Sequence, residues 1–160
     1  MNGNRPTHTA FLKCVLAATI AGGLLMASAK PALAQTGPDA TLAAAAKEPG
    51  AKVTASGLVI RILKEGAGTQ PTASSTVRVH YKGTFPDGKE FDSSYKRGEP
   101  IEFALSRVIG CWTEGVALMK TGGTAKLTCP STIAYGARGA GGVIPPHATL
   151  VFEVELLGVR

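Results

Sequence analysis

The residues of this chain that could do chemistry are mostly aromatic, and they gather around one acid. Asp92 directly follows Phe91, and Arg97 is close enough in sequence to pair with Asp92. The side chains that could share a pocket with them are Tyr81, Phe91, Ile101, Trp112, Tyr135 and Phe152. This set predicts an apolar pocket with one charge. The same residues also fit the ordinary core of a small domain, and the pattern alone leaves both interpretations open.

Motifs of several enzyme classes are missing from the sequence. There is no G-x-S-x-G, no P-loop, no H-E-x-x-H and no strict G-x-G-x-x-G, and the glycines within residues 136–142 lie between predicted strands. Phosphate binding is therefore not expected. His80 and His147 are interpreted as surface or hydrogen-bonding histidines. The two cysteines after residue 34, without a His at finger spacing, fall short of four ligands, so no metal site is expected.

Residues 1–34 have the pattern of a secretory signal peptide. Arg5 and Lys13 supply a basic start, and the apolar run over residues 14–27 is too short to span a bilayer. The small residues ending at Ala34 fit a signal peptidase site. We expect cleavage near Ala34, a periplasmic or secreted protein, and no stable membrane anchor.

The rest of the chain is predicted to be one domain on a tether. Residues 35–56 are rich in Ala, Pro and Gly, which indicates a flexible tether with room for one short Ala helix. Residues 57–160 are enough for a single folded domain. Nothing before Gly57 is long and amphipathic enough for a dimerisation helix, so we expect a monomer.

The charge of the chain argues against a nucleic-acid partner. Removing residues 1–34 takes three basic residues and no acid from totals of 17 and 11, which leaves a mild positive excess. The remaining sequence contains no run of Lys or Arg, so its charge is not the footprint of a protein that binds nucleic acid.

Period-two alternation of apolar residues predicts a β-rich domain. The alternating segments are residues 58–63, 77–82, 101–105, 125–129 and 150–156. A Pro-Asp-Gly turn at residues 86–88 should close a hairpin whose return strand carries Phe91. Trp112, Val116 and Met119 fall at i, i+4 and i+7, which predicts one short helix. The fold class is therefore α+β, with an antiparallel sheet of about five strands against that helix.

Two cysteines remain after signal cleavage, Cys111 and Cys129. In an exported protein they could form a disulfide, and they could equally be two small core residues. The helix that bears Trp112 should begin opposite the strand that ends at Cys129. We therefore expect the two cysteines to be close in space.

Five motifs run in order through residues 57–160. They are Val79-His80-Tyr81-Lys82-Gly83-Thr84, Asp87-Gly88-Lys89-Glu90-Phe91-Asp92-Ser93-Ser94, Val108-Ile109 followed by Trp112-Thr113-Glu114-Gly115, Ala134-Tyr135-Gly136, and Ile144-Pro145-Pro146-His147-Ala148-Thr149-Leu150-Val151-Phe152-Glu153-Val154-Glu155-Leu156. Together they resemble the FKBP-type peptidyl-prolyl cis-trans isomerases. The resemblance implies an FKBP-like fold, in which a strongly curved antiparallel sheet wraps around one short helix.

The resemblance also implies a site between the helix and the sheet, with the Trp112 indole as its floor. Asp92 would act electrostatically near a twisting amide and Arg97 would orient it, while the Tyr135 hydroxyl and the Ile109 N–H would donate to carbonyls of a bound peptide. The residues that match the family's substrate-binding wall are Tyr81, Phe91, Arg97, Ile101, Val108, Val143, Ile144 and Phe152.

By the same resemblance the expected activity is that of a rotamase that accelerates X-Pro isomerisation in the folding of exported proteins. The implied ligands are proline-containing polypeptide clients and macrolides of the rapamycin or tacrolimus type, and the reaction requires no metal, cofactor or covalent intermediate. Ile101 stands where the family usually has an aromatic residue, and Ala140 where a His or Gly is common. Two alternatives stay open: a non-catalytic chaperone or peptide-binding module that uses the same pocket, and a thiol enzyme that uses the cysteines.

Overall fold

The computed structural model of the protein describes residues 38–160, and the predicted signal peptide at residues 1–34 lies outside the described residues. Within the described part, seven strands form one sheet. The strands are Ala51–Val53 (β1), Val59–Lys64 (β2), Thr76–Thr84 (β3), Glu90–Ser93 (β4), Ile101–Ala104 (β5), Thr124–Cys129 (β6) and Leu150–Val159 (β7). The helices are Pro38–Ala46 (α1), Ser94–Arg97 (α2) and Gly110–Ala117 (α3). No helix among residues 38–160 has the length and apolar character needed to cross a membrane.

The strands are all antiparallel to their neighbours, in the order β1-β2-β6-β7-β3-β4. Strand β3 pairs with β7 on one side, and on the other side with β5 near its start and with β4 near its end. Val77, Val79 and Tyr81 are buried while Arg78 between them is exposed. This alternation is typical of a sheet with one face on the core.

Helix α3 packs closely on the inner face of the sheet. A Cβ atom on Gly115 would lie 2.8 Å from a methyl carbon of Leu127 in β6 and 3.3 Å from one of Leu58, so the glycine allows the close approach. Trp112 and Val116 of the same helix are buried in the core cluster. The predicted α+β fold is therefore confirmed. The sheet has more strands than the expected five because short elements such as β1 show no alternation in the sequence.

A disulfide joins Cys111 in the first turn of α3 to Cys129 at the end of β6. Their Cα atoms are 5.8 Å apart, and both side chains are fully buried. The expected proximity of the two residues is confirmed. The bridge ties the helix covalently to the sheet.

The described part of residues 35–56 is not the free tether that the composition predicts. Strand β1 pairs with β2, and Ala45 of α1 is buried against the domain. The carboxylate of Glu48, which follows α1, accepts hydrogen bonds from Arg61 Nη1 at 2.8 Å and from Lys126 Nζ at 2.6 Å. Composition misses this attachment because the cations that hold the segment lie on β2 and β6. The short Ala helix for which the tether had room is present as α1.

Candidate active site

An apolar cavity of about 310 Å³ lies between the start of α3 and the sheet. Its walls come from strands β3, β4, β5 and β7, from the turn before α3, from α3 itself and from the loop after β6. The lining residues are Tyr81, Phe91, Asp92, Phe103, Arg107, Val108, Ile109, Trp112, Tyr135 and Phe152. We call this cavity the aromatic pocket.

The indole of Trp112 forms the floor of the aromatic pocket. Three other rings meet it nearly at right angles, with centroid distances of 5.1 Å to Tyr81, 5.4 Å to Phe103 and 5.5 Å to Phe152. Edge-to-face contacts at these distances are favourable because the positive ring edge meets the negative ring face. Since each ring is contributed by a different element, the packing fixes the shape of the pocket.

One wall of the aromatic pocket depends on a glycine in β3. Gly83 pairs with Asp92 of β4 on one side and with Phe152 of β7 on the other. A Cβ atom there would lie 2.6 Å from the ring of Phe91 and 3.0 Å from the ring of Phe152. These two rings pack edge to face, 5.7 Å apart, in the space that the missing side chain leaves.

Three polar side chains meet at the edge of the pocket. Asp92 Oδ2 accepts a hydrogen bond from the Tyr81 hydroxyl, and Asp92 Oδ1 accepts one from Arg97 Nη1 at 2.5 Å. Arg97 Nη2 also donates to the Tyr81 hydroxyl oxygen at 3.0 Å. Partial burial of the Asp92 carboxyl would raise its pKa, but the hydrogen bonds from Tyr81 and Arg97 outweigh burial and hold that pKa below its ordinary value. The carboxylate is therefore charged at neutral pH and fixed in orientation.

A sequence model described as FKBP-type peptidyl-prolyl cis-trans isomerase matches residues 67–157, which is more than half of the chain. The chain belongs to that family. The aromatic pocket, with its Trp floor and its acid, lies inside the matched region. The family resemblance of the sequence motifs is thereby confirmed.

Similar proteins come from bacteria and from an amoeba. The FKBP-type peptidyl-prolyl cis-trans isomerase FkpA of Escherichia coli is 54% identical over 115 residues, which cover 72% of this chain and 42% of FkpA. The chain thus spans less than half the length of that relative. FK506-binding protein 1 of Dictyostelium discoideum is 58% identical over 103 residues, which cover 63% of this chain and 96% of that protein.

The fold is also that of solved FKBP structures. The crystal structure of FkpA from Escherichia coli superposes with a TM-score of 0.75 at 50% identity, covering 77% of this chain and 57% of that one. A crystal structure of a peptidyl-prolyl cis-trans isomerase from Pseudomonas syringae superposes with a TM-score of 0.72 at 41% identity. The match covers 77% of this chain and 90% of that one. The predicted FKBP-like fold is therefore confirmed.

Two residues that line the aromatic pocket, Ile109 and Tyr135, carry hydrogen-bond donors. Neither the Tyr135 hydroxyl nor the Ile109 N–H has a hydrogen-bond acceptor among residues 38–160. Ile109 precedes α3, whose first-turn N–H groups make this end of the helix electropositive. Burial, helped by the charge of Asp92, raises the pKa of Tyr135, so its hydroxyl keeps its proton at neutral pH.

Most of the predicted site residues meet in the aromatic pocket, and four do not line it. Arg97 lies behind Asp92, and this predicted pairing is confirmed. Ile101 is partly buried against the core. Val143 and Ile144 line a separate cavity of about 860 Å³ between the β3–β4 hairpin and the loop that leads into β7. Val143 is exposed there, whereas Ile144 is buried in the core cluster.

Sequence reasoning missed two residues that line the pocket. Phe103 lies two residues beyond Ile101 on β5, where alternation puts both side chains on one face of the strand. Its ring contacts Trp112 and supplies the aromatic wall that Ile101 does not. Arg107 ends the 3-10 turn Leu105–Arg107, and no sequence pattern marked it.

The polar side chains of the described residues form no metal cluster at this site. Within residues 38–160, no group of three His, Cys, Asp or Glu side chains is placed to hold a metal ion. The pocket combines apolar walls, one fixed carboxylate and two free donors. Such an arrangement can bind an apolar ring and stabilise a changed charge distribution in a polar group beside it, without bond cleavage.

Proposed function

We propose that the protein is a peptidyl-prolyl cis-trans isomerase that acts on X-Pro bonds of polypeptide clients in its aromatic pocket. The observation that carries the proposal is an aromatic cavity lined by the fixed Asp92 carboxylate and by two donors, the Ile109 N–H and the Tyr135 hydroxyl, that have no acceptor among residues 38–160. A proline ring fits against the Trp112 indole, and the donors are available to the carbonyls on either side of it.

Prolyl isomerisation needs no nucleophile, because it rotates the X-Pro amide bond and breaks no covalent bond. Amide resonance keeps the X-Pro bond planar behind a barrier of roughly 18–20 kcal/mol. At the top of that barrier the bond is twisted, resonance is lost, and the carbonyl is less polar than in the planar amide. An apolar pocket favours the less polar twisted state over the planar one, which lowers the barrier. The donors hold the flanking carbonyls in the twisted geometry.

Asp92 supplies the electrostatic part of this mechanism. Its carboxylate lies at the wall where the twisting amide would be, and Tyr81 and Arg97 occupy one oxygen each. A fixed charge costs no reorganisation when the charge distribution of the amide changes. Arg97 and Tyr81 are therefore positioning residues, and Asp92 acts on the substrate.

We also propose where the protein acts and which ligands it binds. The signal-like pattern of residues 1–34 and the Cys111–Cys129 disulfide both suit an exported, periplasmic protein whose clients are unfolded exported chains. Macrolides of the rapamycin or tacrolimus type would compete for the aromatic pocket. The protein would act as a monomer.

The direct test is isomerisation of Leu-Pro and Phe-Pro peptides by the purified protein, with rapamycin as a competitor. We expect acceleration of cis-to-trans conversion and its loss when the competitor is added. A folded protein that binds these peptides without accelerating the conversion would instead be a peptide-binding module or chaperone. Such a chaperone should suppress the aggregation of client proteins, and an Asp92→Asn variant should suppress it equally well.

A further inference from the structure

One cation at the aromatic pocket has no ion-pair partner in the described part of the chain. Arg107 lines the pocket and is exposed, and no carboxylate among residues 38–160 lies within ion-pair distance of its guanidinium. The other guanidinium near the pocket, that of Arg97, is already paired with Asp92. Arg107 is therefore available to a bound ligand.

The turn that carries Arg107 is anchored although its side chain is free. Leu105, two residues earlier, is fully buried, and its N–H donates to the Ser75 carbonyl at 2.9 Å. The Leu105 carbonyl accepts the Thr113 hydroxyl of α3 at 2.6 Å. The backbone of the turn is thus fixed to both the sheet side and the helix, and the Arg107 side chain starts from a defined place on the rim of the pocket.

The rim of the aromatic pocket at Arg107 carries a net positive charge. Asp92 and Arg107 are the only lining residues charged at neutral pH within the described part of the chain. Arg97 neutralises Asp92 at 2.5 Å, whereas no carboxylate of residues 38–160 pairs with Arg107. A client side chain that reaches the rim therefore meets an uncompensated positive charge.

We propose that Arg107 makes the protein prefer clients with an Asp or Glu within two residues of the isomerised proline. The inference rests on the proposed isomerase function and names its substrate class. An exposed ion pair contributes modestly, so we expect kcat/KM to be about threefold higher for Glu than for Gln and about threefold lower for Lys than for Gln. Glu and Lys peptides would then differ by about tenfold at low salt.

The test compares peptides that differ only in one residue beside Leu-Pro. Glu, Gln or Lys is placed either before the leucine or after the proline, and the exchange rate is measured by NMR, which needs no coupled protease. We expect the tenfold Glu-to-Lys ratio in at least one of the two positions. The ratio should fall toward one in 0.5 M salt, because exposed charges are screened.

Substitutions of two arginines distinguish an effect of the Arg107 charge at the pocket from an effect of the net charge of the protein. The Arg107→Gln variant should bring the Glu-to-Lys ratio near one, and Arg107→Glu should invert it. Arg138 is a matched control: it is also the exposed last residue of a 3-10 turn and pairs with no carboxylate of residues 38–160, but it does not line the aromatic pocket. Arg138→Gln should keep the ratio of the wild type.

The outcomes are distinguishable from failure of the isomerase function itself. Acceleration of the neutral Gln peptide with no preference between Glu and Lys would overturn the role of Arg107 alone. A preference that survives Arg107→Gln, or that Arg138→Gln also removes, would overturn it as well. Lack of acceleration with every peptide would overturn the proposed function and this inference together.

Discussion

The Tyr81 hydroxyl donates a hydrogen bond to Oδ2 of Asp92. The bond joins strand β3 to the neighbouring edge strand β4, and Arg97 stabilises it by donating to both partners. The ring of Tyr81 meanwhile packs edge-on against Trp112. One side chain therefore fixes both the acid and the floor of the aromatic pocket.

Replacing Tyr81 with Phe should separate these two roles. The Phe ring keeps the contact with Trp112, whereas Asp92 loses one of its donors, so its pKa should rise toward the ordinary value. A hydrogen bond to a charged group contributes about 1.5–3 kcal/mol, and we expect kcat/KM to fall at least tenfold. Peptide kinetics and an NMR titration of the Asp92 carboxyl carbon measure the two effects.

Tyr95 offers the matched control for this change. Its hydroxyl donates to Glu155 at 3.1 Å, and its ring stacks on His80, outside the aromatic pocket. Tyr95→Phe removes the same atom, and kcat/KM should stay within about twofold of wild type. Equal losses in the two variants would contradict the role assigned to Tyr81.

The activity should be nearly independent of pH between about pH 5 and pH 9. Asp92 has a lowered pKa and stays ionised in this range, and the raised pKa values of Tyr81 and Tyr135 keep both hydroxyls protonated. The carboxylate of Asp92 stabilises the fold above its unfolded pKa of about 3.9, and that contribution is lost as the pH falls through the lower folded value.

Two pH series check these expectations. The first records kcat/KM from pH 5 to pH 9, and a bell-shaped profile centred in this range would show that another group titrates in the mechanism. The second compares urea unfolding at pH 7 and pH 3. Wild type should lose more stability than the Asp92→Asn variant, which has no carboxyl to protonate at that position.

Replacing Gly83 with Ala should damage both stability and binding. The new methyl group would lie 2.6 Å from Phe91 and 3.0 Å from Phe152, so the rings must shift. Overpacking of this kind costs about 1–3 kcal/mol. We expect a lower melting temperature and a higher KM for proline peptides.

Gly158 is the control for this substitution because it lies in β7 of the same β3–β7 ladder, opposite Arg78. An added methyl group there would meet nothing closer than 3.9 Å. Gly158→Ala should leave the melting temperature and KM close to those of the wild type. If Gly83→Ala behaved in the same way, the tight packing of Phe91 and Phe152 would be contradicted.

Breaking the Cys111–Cys129 disulfide should lower stability without removing activity. A bridge with a sequence separation of 18 residues contributes about 3 kcal/mol by restricting the unfolded chain. Reduced protein should therefore unfold at lower urea concentration and still isomerise peptides in dilute buffer. A Cys111→Ala, Cys129→Ala variant serves as the control and should not respond to reductant. Loss of activity in the folded double-Ala variant would support a thiol enzyme instead, because that variant has neither thiol.

Local patterns in the sequence predicted the elements that build the pocket. Alternation marked β3 and β7, and the spacing of Trp112, Val116 and Met119 marked α3, because these segments bury one face each. The residues around Asp92 and the pairing with Arg97 followed from the motifs. These features depend mainly on short-range order in the chain.

The features of the fold and the site that the sequence did not reveal depend on tertiary contacts. Gly139 has a positive φ of 63°, and the backbone there approaches the Ile144 carbonyl so closely that a side chain would not fit. This bend buries Ile144 in the core cluster and leaves Val143 in the larger cavity, away from the aromatic pocket. In the same way, Glu48 holds the N-terminal segment through Lys126, 78 residues later. Neither relationship has a local signature.

The central claim is that the aromatic pocket itself catalyses X-Pro isomerisation. The chain contains one Trp, so the indole N–H signal of Trp112 is unique in an NMR spectrum. A titration with a Leu-Pro peptide can therefore record cis–trans exchange and pocket occupancy in one sample. We predict faster exchange together with a shift of the indole signal, both saturating at the same peptide concentration. Exchange that is not accelerated, or that is accelerated while the indole signal stays unmoved, would contradict the claim.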